Sequence, residues 1–332
     1  MIDEVAPGIH RISAPVPFRG LGQVCIWLLE DDDGVTMVDC GFGDEPTRNL
    51  IENSWDTILA GRPVNRLIVT HFHPDHVGNA RFVAERWGIR PQMTLLEWMA
   101  ANAAHKGLYS DDFELRASFY EQNGAPEAMI ARYRDETILY HSGASLPPSF
   151  TRLHAGDALN IGGRQWTVMT GQGHSPDLAM LYCATDDILI AGDQLLPKIT
   201  PNVSVWPWEP LADPLTEFLA ALDRVAHATT AGTLVLPSHR APFVGAPARA
   251  REIIAHHEAR LNEVRELLTE RGPSKAGALL SSLFRRELDG HQINFAMGEA
   301  LAHLNHLAVK GLATRHVDDD GTVRYALSDN QN

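Results

Sequence analysis

The sequence predicts an α/β enzyme fold, and three observations carry that expectation. Short apolar runs of strand length alternate with stretches of helical spacing along most of the chain. Four of those runs lead into a loop bearing a histidine or aspartate, the layout with which α/β folds place ligands at the carboxyl ends of strands. The 332 residues are 44% hydrophobic and 21% charged, enough for a large domain plus a small one and incompatible with wholesale disorder.

The elements follow in order. Ile9 to Ile12, Val24 to Leu29 and Val35 to Val38 read as strands, with Asp32-Asp33-Gly34 as a hairpin turn. Asp39-Cys40-Gly41-Phe42-Gly43 breaks the pattern, and Pro46 to Leu59 has helical spacing. Leu67 to Thr70 is a buried strand, followed by a polar cluster and a helix from about His76 to Trp87 that Gly88 caps. About residues 92–149 form a helical insertion carrying Trp98, Tyr109, Phe113, Phe119, Tyr120, Tyr133 and Tyr140. That insertion reads as a helical pair packing on itself, and also as an apolar lid over a substrate pocket, two readings that are compatible.

Strands return at Gln165 to Thr170, Ala179 to Cys183 and Ile188 to Ala191. A helix over Pro214 to Ala228, a strand over Thr233 to Leu236 and a long amphipathic helix over Ala248 to Glu270 follow, and Arg271-Gly272-Pro273 ends the last of these. Beyond it, helices at Ser274 to Phe284 and Phe295 to Lys310 precede a hairpin of Leu312 to Val317 and Thr322 to Leu327. Helices followed by a hairpin are the order of a winged helix. The expected division is a catalytic domain over residues 1–270 and a winged-helix domain over residues 271–332.

Charge and cysteine usage exclude several classes. With 28 Lys plus Arg against 42 Asp plus Glu the net charge is −14, a field that repels phosphate backbones and argues against a nucleic-acid partner. Cys25, Cys40 and Cys183 are odd in number and lack a CxxC pair, which fits a reducing compartment. The chain opens Met1-Ile2-Asp3-Glu4, acidic where a signal peptide is basic and then apolar, and no run of about 18 apolar residues occurs. A cytoplasmic protein with no membrane association is expected.

The chemistry is concentrated in Thr70-His71-Phe72-His73-Pro74-Asp75-His76, the pattern HxHxDH at the end of a strand. Histidines two apart in extended chain point the same way, so His71 and His73 can share one metal, while Asp75 and His76, turned round the helix start, face the neighbouring volume. A polar helix cap with incidental histidines is the competing reading, but it leaves three imidazoles and a carboxylate with nothing to ligate. Further ligands must come from elsewhere. Gly173-His174-Ser175, Gly192-Asp193 and Ser238-His239 each follow an apolar strand and offer them.

These motifs resemble those of the metallo-β-lactamase fold superfamily over about residues 1–270. The resemblance implies an αββα sandwich with two metals at one edge of its sheets. It implies that His71, His73 and His174 hold one ion, that Asp75, His76 and His239 hold the other, and that Asp193 bridges both. Asp39 matches the family's motif-one acid, which orients the site. Two zinc ions are implied, although a His/Asp donor set also accepts manganese or iron. No cysteine stands at a ligand position, which argues against the cysteine-ligand β-lactamases.

The His/Asp set and the appended module resemble glyoxalase-II-like hydrolases. They imply a dizinc-bound hydroxide that cleaves a small-molecule thioester, ester or lactone, with Asp75 as the catalytic carboxylate. The alternative is an endoribonuclease or phosphodiesterase of the same fold. Against it, residues 251–332 carry ten basic and twelve acidic side chains, and only Lys310, Arg315 and Arg324 lie near the expected recognition helix and wing. A small-molecule acyl substrate therefore fits better, with the module as a pocket wall or homodimer element. A metal-bearing DNA-binding regulator is a third reading, opposed by the same charge balance. The aromatic insertion and the loop of Trp206 and Trp208 favour a small-molecule hydrolase, Tyr109 and Arg240 are candidate substrate contacts, and Arg240 replaces the family's usual glycine after the last histidine. His105, His141, His256, His257, His291, His303 and His306 are read as core or surface histidines.

Overall fold

A computed structural model describes residues 2–17, 21–55, 57, 60–107, 113–135, 143–284 and 292–328. Tyr109, Tyr140, His141 and His291 lie outside these residues.

Alternation along one strand shows how the first compact unit is built. In β3 (Gln23–Asp31), Val24, Ile26 and Leu28 enter one apolar cluster, and Cys25, Trp27 and Leu29 enter another. A strand buried on both faces must lie inside a layered structure. β3 pairs antiparallel with β2 (Ile9–Pro15) and β4 (Gly34–Val38), and β1 (Ile2–Ala6) adds to β2. β5 (Val64–Ile68), β6 (Pro91–Met93) and β7 (Thr151–Arg152) continue from β4 in parallel, giving a seven-stranded mixed sheet.

The second sheet has six strands: β8 (Ala158–Ile161), β9 (Arg164–Gly171), β10 (Leu178–Cys183), β11 (Ile188–Gly192), β12 (Leu234–Pro237) and β13 (Phe243–Val244). Its pairs are antiparallel except β11 with β12. Trp166, Val168, Leu181 and Ile190 from this sheet pack with Trp27, Leu29, Val38 and Ile68 from the first, so the two sheets lie face to face. On the other face of the first sheet, the helices Glu45–Ser54 and Ala80–Trp87 contribute Ile51 and Val83 to the cluster of Val24, Ile26 and Leu28. Two mixed sheets with helices outside are the expected sandwich.

Within the stretch expected as helical over Pro46 to Leu59, a helix Glu45–Ser54 is started by Asp44, whose Oδ1 accepts the Thr47 N–H at 2.9 Å, and Asp56, Ile58 and Leu59 lie outside the described residues. One helix departs from the sequence reading: the one expected from His76 is broken into Pro74–Val77 and Ala80–Trp87. At the break Gly78 lies against backbone atoms of Gly41, Gly43 and Pro74, and Asn79 Nδ2 donates to the carbonyls of Cys40 and Phe42. The loop after β4 thus packs directly against the break, where a side chain on residue 78 would stand. β1, β6, β7, β8 and β13 have no counterpart in the sequence reading, being edge or short strands with little apolar signal, and β6 overlaps the start of the expected helical insertion.

The first unit comprises Met1–Leu108, Leu139–Pro201 and Ala221–Ala250, and the second Tyr109–Ile138, Asn202–Ala220 and Arg251–Asn332. The division expected after residue 270 falls at the end of a helix running Ala246–Arg271. In the second unit the helices Phe113–Gln122 and Glu127–Asp135, from the aromatic insertion, pack on each other. The helices Ala276–Leu283 and Gln292–Val309 precede an antiparallel hairpin of β14 (Ala313–Val317) and β15 (Val323–Leu327), in the expected order. Buried in this unit, His257 Nδ1 and His303 Nε2 are 3.2 Å apart. Trp206 and Trp208 stack on one another with ring centroids 5.2 Å apart. No described helix is long and apolar enough to cross a membrane.

Gly78→Ala places a Cβ against three backbone atoms that cannot give way, and should lower unfolding stability by about 1–3 kcal/mol in urea titrations. A second expectation concerns pH. Burial pushes His257 down to about 3 and His303 down to about 4. Between pH 6.5 and 4 the unfolded chain therefore binds more protons at these rings than the folded one, so stability falls as the pH drops through that window. At pH 5 each ring costs on the order of 2 kcal/mol. The variant His257→Leu/His303→Leu should show a smaller drop in urea midpoint between pH 7 and pH 5 than the parent protein.

Candidate metal centre

Five strand ends supply the site. Asp39 follows β4, His71 to His76 follow β5, His174 follows β9, Asp193 follows β11 and His239 follows β12. Both sheets carry these residues on loops beyond carboxyl ends of their strands.

All seven expected ligands converge there in two groups. His71, His73, His174 and Asp193 form one, Asp75, His76 and His239 the other, and within each group the ligand atoms lie within 4.8 Å of one another. The carboxylate of Asp193 belongs to the space between them. Its Oδ2 is 3.5 Å from His174 Nε2, 3.7 Å from His76 Nε2 and 3.4 Å from His239 Nε2. Asp75 Oδ2 is 3.7 Å from His76 Nε2 and 3.5 Å from His239 Nε2.

The outer nitrogens decide what the inner ones can do. His239 Nδ1 donates to the Gln23 carbonyl at 2.8 Å, and His76 Nδ1 to Asp39 Oδ2 at 2.8 Å. Thr70 Oγ1 donates to Asp39 Oδ2 at 2.9 Å, so its lone pair receives His71 Nδ1–H at 3.0 Å. Each contact commits the Nδ1 proton outward and turns the Nε2 position inward, as metal-ligating imidazoles require. Asp39 also accepts the Thr70 N–H at 2.7 Å and is itself held at φ 61°, a left-handed conformation that aspartate tolerates.

The atoms turned inward fit a cation. His76 Nε2, His239 Nε2 and Asp193 Oδ1 are buried and make no hydrogen bond among the described residues. Burial, followed by the neighbouring imidazoles, holds His71 and His73 well below the usual histidine range, so both present neutral lone pairs. Burial would also depress His76, but Asp75, Asp39 and Asp193 outweigh it and raise His76 to about 10. His239 is raised in the same way, chiefly by Asp193. Burial would raise Asp193, yet His239 and His76 hold its carboxyl well below the usual range. A ring of buried carboxylates that draws protons onto adjacent imidazoles is a site short of positive charge. Divalent ions supply that charge through these same atoms.

Residues 19–239 match the family model described as the Metallo-beta-lactamase superfamily, and residues 261–328 match its Metallo-beta-lactamase-like, C-terminal domain. The chain belongs to the metallo-beta-lactamase superfamily.

Among solved structures of this superfamily, a beta-lactamase domain protein from Burkholderia ambifaria shares 41% identity at a TM-score of 0.90, over 98% of this chain and 94% of that one. A metallo-beta-lactamase family protein from Thermus thermophilus shares 29% identity at a TM-score of 0.80, over 98% of this chain and 100% of that one. Among curated proteins, a linear primary-alkylsulfatase from a Pseudomonas species is 26% identical over 66% of this chain and 42% of its own length. A hydroxyacylglutathione hydrolase from Prochlorococcus marinus is 29% identical over 22% of this chain and 26% of its own. The chain spans less than half the length of these two curated relatives.

The other candidates fall outside the two groups. Cys40 Sγ donates to the His76 carbonyl at 3.0 Å and Cys25 Sγ to the Arg240 carbonyl at 3.5 Å, so both thiols brace the backbone beside superfamily ligand loops. Burial pushes Cys25 up to about 12 and Cys40 well above its ordinary value. Arg240 directly follows His239 at φ 74°, a conformation its family's usual glycine adopts without strain.

One buried acid escaped the sequence reading. Glu97 accepts the Phe72 N–H at 2.9 Å, the Ser175 hydroxyl at 2.6 Å and the Asp177 N–H at 2.7 Å, and burial raises it to about 7. Thr94-Leu95-Leu96-Glu97 has the spacing of a capping box. Thr94 makes no side-chain cap bond, however, and reaches the Asp177 carbonyl at 2.8 Å instead.

Asp39→Asn keeps the shape but turns one acceptor into a donor facing Thr70 or His76. Affinity for divalent metal at the Asp75/His76/His239 group should fall about 10–100-fold, read by competition with a chromophoric chelator.

Proposed function

We propose that this superfamily member is a dinuclear metal-dependent hydrolase, loaded with zinc, that cleaves a small-molecule thioester, ester or lactone. The observation that carries the reading is the convergence of seven buried or half-buried His and Asp side chains into two adjoining groups with one carboxylate between them. Two divalent ions bound there supply Lewis-acid activation of a water and of the bond it attacks.

The protein's own groups do the rest. His71, His73 and His174, the first two held neutral by burial, would hold one ion, and Asp75, His76 and His239 would hold the other. Asp193, within 3.7 Å of His76, His174 and His239, would be a ligand shared by both groups. Asp75, 5% exposed, is the carboxylate that takes the proton of the attacking water and passes it to the leaving group. Its Oδ2 lies 3.5 Å from His239 Nε2 and 3.7 Å from His76 Nε2, on the side of the group that those two imidazoles face.

Charge selects among substrates. A net charge of −14 disfavours a polyanionic chain, and the near-balanced segment 251–332 offers no phosphate track. A small acyl compound meets neither obstacle. The C-terminal helices and hairpin then act as a scaffold with the winged-helix order rather than as a nucleic-acid reader. The likeness to an alkylsulfatase over 66% of this chain favours a second reading, a small sulfate ester cut by the same ion pair.

Zinc-loaded protein should turn over an acyl-thioester, lose that activity to a strong chelator and recover it on adding zinc. Asp75→Ala and His73→Ala should each lower kcat by about 10²–10⁴-fold. Full activity in both variants would overturn the mechanism. Cleavage of a primary alkyl sulfate instead would install the second reading, and cleavage of a short single-stranded RNA would replace the acyl substrate with a phosphodiester.

A further inference from the structure

Glu97 stands on the first turn of the helix Leu95–His105, where an anion is favoured by the helix dipole, and its side chain is fully buried. Its carboxylate is spent entirely on donors from two other segments. Oε2 takes the Phe72 N–H at 2.9 Å, and Oε1 takes the Ser175 hydroxyl at 2.6 Å and the Asp177 N–H at 2.7 Å. Phe72 is the residue between His71 and His73, and Ser175 is the residue after His174. One acid therefore holds the backbone N–H between His71 and His73, and both the hydroxyl that follows His174 and the backbone N–H three residues after it.

We infer that Glu97 is a positioning residue for the His71/His73/His174 group, a buried clamp that sets the separation of two ligand loops and so tunes one ion of the pair in preference to the other. The inference rests on the metal-binding reading above. Its physical basis is that the two loops come from different sheets, after β5 and after β9; the Ala179 N–H to Thr70 carbonyl bond at 2.9 Å joins them at one side, and Glu97 joins them at the Phe72 and Ser175 side. A carboxylate satisfies all three donors with acceptor atoms alone. The amide of glutamine cannot. With its oxygen toward Ser175 and Asp177, its NH₂ group faces the Phe72 N–H, and with the amide reversed it faces the other two donors.

The helix reinforces the grip from a second point. Thr94 Oγ1 donates to the Asp177 carbonyl at 2.8 Å, so the loop after His174 is held by both its N–H and its C=O. A loop anchored at both polar groups of one residue cannot rotate without breaking two bonds. The Glu97 contacts then decide where along that anchored loop His174 sits relative to His71 and His73.

The test is a two-site zinc competition titration on full-length parent, Glu97→Gln and Ser175→Ala, with thermal unfolding of each metal-free protein recorded beside it. The parent should bind two ions. Glu97→Gln should weaken one of them about 10–100-fold and leave the other within about threefold, a split that general loss of stability does not produce. In a His73→Ala background, which leaves only the Asp75/His76/His239 group complete, adding Glu97→Gln should not change the affinity of the remaining ion. Ser175→Ala, which removes one of three bonds and keeps the carboxylate, should weaken the same ion by a smaller factor. It also serves if Glu97→Gln does not fold.

Unchanged affinities in Glu97→Gln, or equal weakening of both ions, would overturn the clamp. So would an unchanged Ser175→Ala if that is the only variant that folds. A parent protein that binds no divalent ion would overturn the hydrolase reading itself, so the two failures are told apart by the first titration.

Discussion

The structure turns on buried negative charge. Asp39, Asp75, Asp193 and Glu97 are all nearly or fully buried within one compact unit. An ionised carboxylate removed from water without compensation costs several kcal/mol. Each of the four is compensated differently. Glu97 and Asp39 are saturated with donors, whereas Asp75 and Asp193 face imidazole nitrogens at 3.4–3.7 Å, beyond good hydrogen-bond distance. The first two fix geometry and the last two attract cations. That contrast separates residues that position the centre from residues that bind in it.

The surrounding backbone bends to serve this arrangement. Asp39 can reach both Thr70 and His76 because it leaves β4 in a left-handed conformation, directing its carboxylate across to the loop after β5. The segment that follows runs so close to Gly78 that only a glycine fits there. Asn79 then uses its side-chain amide to satisfy the Cys40 and Phe42 carbonyls, whose own segment belongs to no strand or helix. The helix break thus lies beside the loop whose Asp39 meets His76 at 2.8 Å.

The second unit answers to a different constraint. Its helix Gln292–Val309 buries three polar residues, His303, Asn305 and His306, on an otherwise apolar face. Each has found a local partner: His303 pairs with His257, Asn305 accepts the Tyr325 hydroxyl at 2.7 Å, and His306 lies 3.2 Å from Asp213. These polar contacts join the helix to β15 and to the segment before residue 214, giving the unit a specific packing that an all-apolar face would leave less defined. None of its described residues enters either group of candidate ligands.

Much of the centre was legible in the sequence because metal ligation demands particular residue types at short spacings. His71, His73, Asp75 and His76 declare themselves within six residues, and His174, Asp193 and His239 each follow an apolar strand that the alternation of side chains makes visible. The face-to-face sheets follow from strands apolar on both sides, as β3 shows. What the tertiary structure alone decided are the contacts whose partners lie far apart in sequence and whose residue types have an ordinary local explanation. Glu97 looks like half of a capping box and becomes a clamp only when Phe72 and Ser175 are brought to it. The break at Gly78 and Asn79 was equally silent, since nothing in a helical period reports that another loop packs against residue 78 and takes hydrogen bonds from Asn79. Local chemistry is written in spacing. The distances between loops arise only when two sheets pack.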